Sequence, residues 1–152
     1  VAGDALARLE LAVAPGLALL PRGDAPPGGA DRHEVLARLL AADPRAVVVD
    51  AGVVDGPSER LPLVAEATRS LLVTRACYLA VRRVRRAPVQ PSGVVLVREE
   101  GRTLSRSDVE HAVGAPVVAE LPLDPHVARA VDSGLLLSRL PRSFERRLRG
   151  AA

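Results

Sequence analysis

Five short runs of Val and Leu, spaced by segments with helical periodicity, constrain this chain more than any other feature of its sequence. They span Leu17 to Leu20, Ala46 to Asp50, Leu71 to Thr74, Val94 to Val97 and Val117 to Leu121. Near-continuous apolar runs of this length suit strands buried on both faces, as in a parallel sheet whose sides are covered by helices. Strand and helix alternate along the chain as successive β-α units. Five such units predict a doubly wound α/β fold, mostly parallel, with helices on both faces and right-handed crossovers. The 152 residues fit one domain, residues 1–152. A domain of that size buries roughly 70% of the surface its unfolded chain exposes. Its core must be aliphatic, because the sequence holds one Phe, one Tyr and no Ile, Met or Trp.

Helix ends are written in capping residues. Asp31 with Glu34 reads as a capping box ahead of Val35, Leu36, Leu39 and Leu40, and Asp43-Pro44 stops that helix. Ser105 with Asp108 caps a helix carrying Val109, Ala112 and Val113, with Gly114 placed as its C-terminal glycine. Asp124-Pro125 opens another, which Gly134 closes. After Gly56 a helix is expected to start near Leu61, since Pro62 is tolerated only in a first turn. Cys77 to Arg86 form a further helix, with Cys77, Ala80, Val81 and Val84 inward and Arg82, Arg83, Arg85 and Arg86 mostly outward. Pro21 to Ala30 and Ala87 to Gly93 read as loops.

Lysine and asparagine are absent while Arg, Ala, Gly and Pro abound, the pattern of a GC-rich coding bias. The formal charge of +3 is modest, so strong nucleic-acid binding does not follow from it. A lone cysteine, Cys77, excludes an intrachain disulfide and a cysteine-rich metal site, in keeping with a reducing cytosol. No apolar run approaches the roughly 20 residues that span a bilayer, and no signal-peptide layout opens the chain. A cytoplasmic protein is expected. Position 1 is Val, which reads as a GUG start translated literally or the cut end of a longer chain.

Ligands of such sheets sit beyond the carboxyl ends of the strands, and Asp50 is the first residue to inspect there. Its carboxylate is suited to hold Mg²⁺ through water, and Gly52 would let backbone approach a γ-phosphate. A capped or salt-bridged loop is the plainer alternative for both residues. The segment from Asp50 to Gly56 is not G-x-G-x-x-G, and without lysine no G-x-x-x-x-G-K-[ST] loop can be written. A phospho-acceptor arrangement of Asp50 with Thr74 lacks its lysine for the same reason. His33, His111 and His126 show no metal-ligand spacing and read as surface residues, and no G-x-S-x-G elbow follows a strand. Arg75, Arg82, Arg83, Arg85 and Arg86 either form a solvated helix face or contact phosphates or an acidic partner. The tail from Ser143 to Arg149 has too few large apolar residues for a stable membrane anchor and reads as a frayed terminal helix.

Together these pieces resemble the carboxyl-terminal part of the MinD/ParA family of P-loop ATPases, including its septum-site, chromosome-partitioning and pilus-assembly relatives. The likeness runs from Pro15 to about Leu140. Val47-Val48-Val49-Asp50-Ala51-Gly52 is similar to the Walker B strand, Ser70-Leu71-Leu72-Val73-Thr74-Arg75 to the next family strand, and Leu121 to Gly134 to the late I-P-x-D-x-x-V-x-x-A-x-x-x-G segment. The resemblance implies a partial P-loop NTPase fold with ATP and Mg²⁺ as ligands of the intact family site. Asp50 would serve the metal, and Gly52, Arg98, Pro122 and Asp124 the nucleotide; Arg98 and Glu99 replace the family's purine-reading Asn. The family's phosphate loop would precede Val1, so this chain alone is expected to bind no cofactor and to lack a catalytic residue for ATP hydrolysis. Without the central strand before that loop, the run Ala46 to Asp50 is expected to pair directly with a new neighbour and close the gap. A homodimer or a partner protein is implied, with non-specific DNA contact through Arg82, Arg83, Arg85 and Arg86 as a further option. The alternative is a non-enzymatic α/β interaction module derived from such an ATPase.

Overall fold

The computed structural model describes residues 6–24, 29–53, 58 and 60–149. Contacts group the chain into two units, Val1–Thr68 and Arg69–Ala152. The architecture is mixed α/β, with a small antiparallel sheet in the first unit and a three-stranded parallel sheet flanked by helices in the second.

In the N-terminal unit β1 (Leu11–Ala14) and β2 (Leu17–Leu19) form an antiparallel hairpin joined by Pro15-Gly16, with a bulge between Ala12 and Ala14. The run beginning at Leu17 therefore does not enter a parallel sheet, and every residue of both strands is exposed. The physical reason is proximity. A second β-capable run ends two residues upstream, and a tight turn closes an antiparallel pair at far smaller entropic cost than a crossover.

Helix α1 (Ala30–Ala41) starts from Gly29 with no side-chain cap. Asp31 sits in its first turn, where it favours the positive helix end without capping it, so the expected capping box with Glu34 is not formed. Ala37 is buried, Leu36, Leu39 and Leu40 are half-buried, and the helix gives way at Ala42 just before Asp43-Pro44. Arg45 then binds both oxygens of Glu10, at 2.8 and 2.6 Å, and also Asp43 at 2.7 Å. Hydrogen bonds from the Arg45 side chain and then from its backbone N–H hold the Asp43 carboxyl down to about 2. Helix α2 (Leu61–Ala65) carries Pro62 in its first turn, as expected, and packs on α1.

Ala46 to Asp50 forms no strand, and Val48 is 95% exposed. This corrects both the expected strand and its expected pairing with a new neighbour. Strand propensity is realised only where a ladder satisfies the backbone N–H and C=O groups, and among the described residues nothing pairs with this run. Residues 25–28 of the Pro21 to Ala30 loop, and the stretch 54–57 around Asp55-Gly56, lie outside the described residues.

The C-terminal unit runs β3 (Leu71–Arg75), α3 (Tyr78–Val84), β4 (Gly93–Arg98), α4 (Arg106–Val113), β5 (Val117–Pro122), α5 (Pro125–Asp132), α6 (Leu136–Arg139) and α7 (Arg142–Leu148). Its strands lie in the order β3-β4-β5, all parallel. Helices cover both faces. On one, Val81 of α3 and Val109 and Val113 of α4 pack with Val94 and Leu96 of β4. On the other, Phe144 of α7 packs with Val95, Ala119 and Leu121, against which Val127 and Leu140 also rest. The terminal helix is thus a packed element rather than a frayed one: the chain's only Phe is buried beneath it, a long-range contact that weak local amphipathicity could not reveal.

The local signals of this half hold. Ser105 and Asp108 form a reciprocal capping box, and Gly114 ends α4 in the left-handed conformation. Asp124 caps α5 by accepting the N–H of His126 at 2.8 Å, with Pro125 in the first turn. Between α4 and β5, Glu110 accepts the Val117 N–H at 2.8 Å while Arg106 donates to the Val117 C=O at 2.6 Å. Both backbone groups at the start of β5 are therefore satisfied by one ion-paired Arg-Glu couple.

Candidate functional site

A parallel sheet directs its ligand-accessible edge to the carboxyl ends of its strands, which here are Arg75, Arg98 and Pro122. Arg98 and Pro122 are register partners, and the Leu123 N–H donates to the Arg98 C=O at 2.8 Å. Asp124 follows at once as the cap of α5. The structure brings together three of the expected nucleotide positions, Arg98, Pro122 and Asp124. Pro122 is exposed, Leu123 is 60% exposed and Asp124 half-buried, so the edge is open. Its polar groups are partly engaged. The Arg98 guanidinium donates to the Leu104 C=O at 3.2 Å and lies 3.7 Å from Glu120.

Beside this edge Glu99 binds Arg75 and Arg102, each at 2.7 Å, and the two guanidiniums hold its carboxyl below the usual range. Cys77 precedes α3, where the N–H groups of Ala80 and then Leu79, aided by Arg102 and Arg75, lower its thiol. Thr74 is buried within β3.

Asp50 and Gly52 belong to the N-terminal unit. The Asp50 Oδ1 accepts the Gly52 N–H at 2.8 Å, so part of its acceptor capacity serves a local turn, the plainer of the two sequence readings. Gly52 has φ +67°, and a Cβ built there would stand 2.7 Å from the Arg60 guanidinium, which donates to the Ala51 C=O at 2.9 Å. The clearance expected for a phosphate holds an arginine side chain instead. Sequence reasoning passed over Arg60; its only signal was a cation just before a first-turn proline. Asp50 is exposed, and among the described residues no group of three His, Cys, Asp or Glu is arranged to hold a metal ion. Among the described residues no ligand set for Mg²⁺ is gathered at Asp50, and no phosphoryl-transfer step follows from them.

His111 and His126 are exposed, and the His126 ring meets Arg129 at 3.0 Å. His33 is half-buried, with its Nδ1 lacking a partner among the described residues. Arg82, Arg83, Arg85 and Arg86 are exposed on α3 and the turn after it. No described helix is long and apolar enough to cross a membrane. Comparison with protein-family models, with curated proteins and with solved structures finds no match to this chain.

Proposed function

We propose that this chain is a MinD/ParA-like nucleotide-binding protein, of the kind that organises chromosomes, septum or pilus machinery in space, whose C-terminal unit supplies the nucleoside-facing edge. The observation that carries this reading is the parallel β3-β4-β5 sheet with Arg98, Pro122 and Asp124 side by side at its carboxyl edge. Arg98 and Asp124 would contact base and ribose, and exposed Pro122 and Leu123 would offer an apolar surface to the ring. The finer architecture, a doubly wound sheet of about five strands, belongs to this reading and requires Ala46 to Asp50 to enter a ladder it does not occupy here. Triphosphate chemistry is not assigned to the chain alone. Nothing in a lysine-free sequence replaces the phosphate-loop lysine, so ATP, Mg²⁺ and hydrolysis belong to an intact site.

Titration of the full chain with a fluorescent adenosine and with fluorescent ATP tests the proposal. Binding is expected to be weak, equal for both ligands, indifferent to Mg²⁺ and to Asp50→Ala, and lost in Arg98→Ala. Asp124→Asn, which keeps the helix cap, is expected to weaken it. No binding up to millimolar ligand, or a Mg²⁺-dependent ATPase rate, overturns the proposal.

The second reading is a non-enzymatic interaction module. It is favoured by the Asp50 carboxylate turning back on Gly52 while Arg60 fills the adjacent clearance. Under it, nucleotide titration is flat and partner binding persists in Asp50→Ala.

A further inference from the structure

The outward face of α3 carries an unmet positive charge over an apolar floor. Leu79, Arg82, Arg83 and Arg86 line a groove of about 210 Å³. These positions recur at helical spacing, while Val81 faces the core from the other side. Leu79 is 64% exposed and its neighbour Tyr78 is 68% exposed, large apolar surfaces that the unit leaves uncovered. Arg85 adds a fourth exposed guanidinium.

Arg45, Arg75, Arg98, Arg102 and Arg106 meet carboxylates. Other exposed arginines such as Arg32, Arg139 and Arg142 stand apart from any carboxylate among the described residues, without being gathered in one groove with an exposed leucine. Among the described residues Arg82, Arg83, Arg85 and Arg86 meet none. Arg82 and Arg83 stand in the last turn of α3 and Arg85 and Arg86 in the turn after it, so four like charges are gathered within five residues and repel one another. An occupant bearing carboxylates would relieve that repulsion through bidentate hydrogen bonds.

We propose that the α3 groove docks an acidic amphipathic segment of a partner protein, with carboxylates on Arg82, Arg83 and Arg86 and an apolar side chain on Leu79. Charge complementarity selects the acid; the exposed Leu79 and the aliphatic stems of the arginines select the apolar residue. A nucleic acid satisfies only half of this surface. Phosphates would meet the arginines, but Leu79 would stay uncovered, and Tyr78 is the one aromatic residue available for stacking. The proposal is independent of the nucleotide reading, since it uses no residue of the Arg98, Pro122 and Asp124 edge.

The test is fluorescence anisotropy of the full chain with a labelled helical peptide that has Leu at every third or fourth position and Glu elsewhere. Micromolar binding is expected. It should weaken about tenfold or more when Gln replaces Glu in the peptide, and similarly in Arg82→Gln/Arg83→Gln/Arg86→Gln and in Leu79→Ser, as loss of one charge-assisted contact or one apolar anchor implies. All four positions are exposed, and unchanged circular dichroism confirms that the variants are folded. Three outcomes overturn the proposal. One is equal binding of the Gln peptide. Another is no binding of the Glu peptide below millimolar. The third is tighter binding of a duplex DNA that is lost in the arginine variant yet unchanged in Leu79→Ser, which identifies a nucleic-acid face.

Discussion

Two runs of nearly the same composition meet opposite fates in this molecule. Val47-Val48-Val49 in the N-terminal unit forms no strand and leaves Val48 95% exposed, whereas Val94-Val95-Leu96 in the C-terminal unit lies in β4 with Val94 and Leu96 fully buried. The difference is partnership. β4 has a strand on each side and helices over each face, so its backbone groups are paired and its side chains removed from water. Among the described residues, every buried apolar side chain except Ala37 belongs to the C-terminal unit. The same residue types supply a core only where the topology gives them neighbours on both sides.

That contrast is exposed to measurement, most strongly at β4. Leu96→Ala is expected to lower the stability of the C-terminal unit by about 2–5 kcal/mol, the range for a fully buried leucine whose site collapses only partly. Urea unfolding followed by circular dichroism measures it, and a cost below about 1 kcal/mol would show that the β4 core is not the stabilising centre. Next in size is the capping box of α4. Ser105→Ala should cost about 1 kcal/mol, because the Asp108 N–H loses its Oγ acceptor and the Asp108 carboxylate loses the Ser105 hydroxyl as a donor.

Acid is a gentler probe of the same unit. Glu110 is held below its ordinary 4.5 first by the Val117 N–H and then by Arg106. A depressed folded-state pKa means stability that is fully present above about pH 4.5 and lost as pH falls through the lower folded value. Stability should therefore decline from pH 4.5 downward, and Glu110→Gln should flatten that part of the profile. In the N-terminal unit the Asp43 carboxyl, held at about 2 against an ordinary 3.8, moves the corresponding loss to lower pH. The smallest effect is expected at the other half of the comparison. Val48→Ala should change stability by no more than about 0.5 kcal/mol, as for surface positions generally. A loss like that of Leu96→Ala would mean that Val48 is buried in solution and that the contrast between the two runs is false.

How much could be read in advance depended on the range of the interaction. Where a signal acts within a turn, the reading holds: Ser105 with Asp108, Asp124-Pro125, Gly114 and Pro62 all stand where their chemistry placed them. Asp31 fails for a local reason too, since Gly29 takes the capping position and leaves the carboxylate inside the first turn. Pairing was less legible. Leu17–Leu19 has the strand pattern expected of it, but the neighbour that claims it is the adjacent run Leu11–Ala14. The candidate site divides in the same way. Arg98, Pro122 and Asp124 could be placed because strand ends and helix starts are local, whereas the Arg60 contact at Gly52 depends on a side chain from another element.

The sequence by itself determined the alternation of strands and helices from Leu71 to Gly134, the caps of α4 and α5, the aliphatic character of the core and the absence of any lysine to cradle a phosphate. These follow from side-chain chemistry within a few residues or from composition alone. The short helix Leu136–Arg139 has no side-chain cap to announce it. Tertiary structure decided which Val-rich run became a central strand, that the only Phe would seal the second face of the sheet, and that Arg60 would fill the space beside Gly52. Each of those outcomes depends on a partner beyond the residue's own turn, from eight residues away for Arg60 to more than twenty for the strands of the sheet. A strand's backbone groups and a core side chain's free energy are settled by what lies opposite them, not by the residue itself.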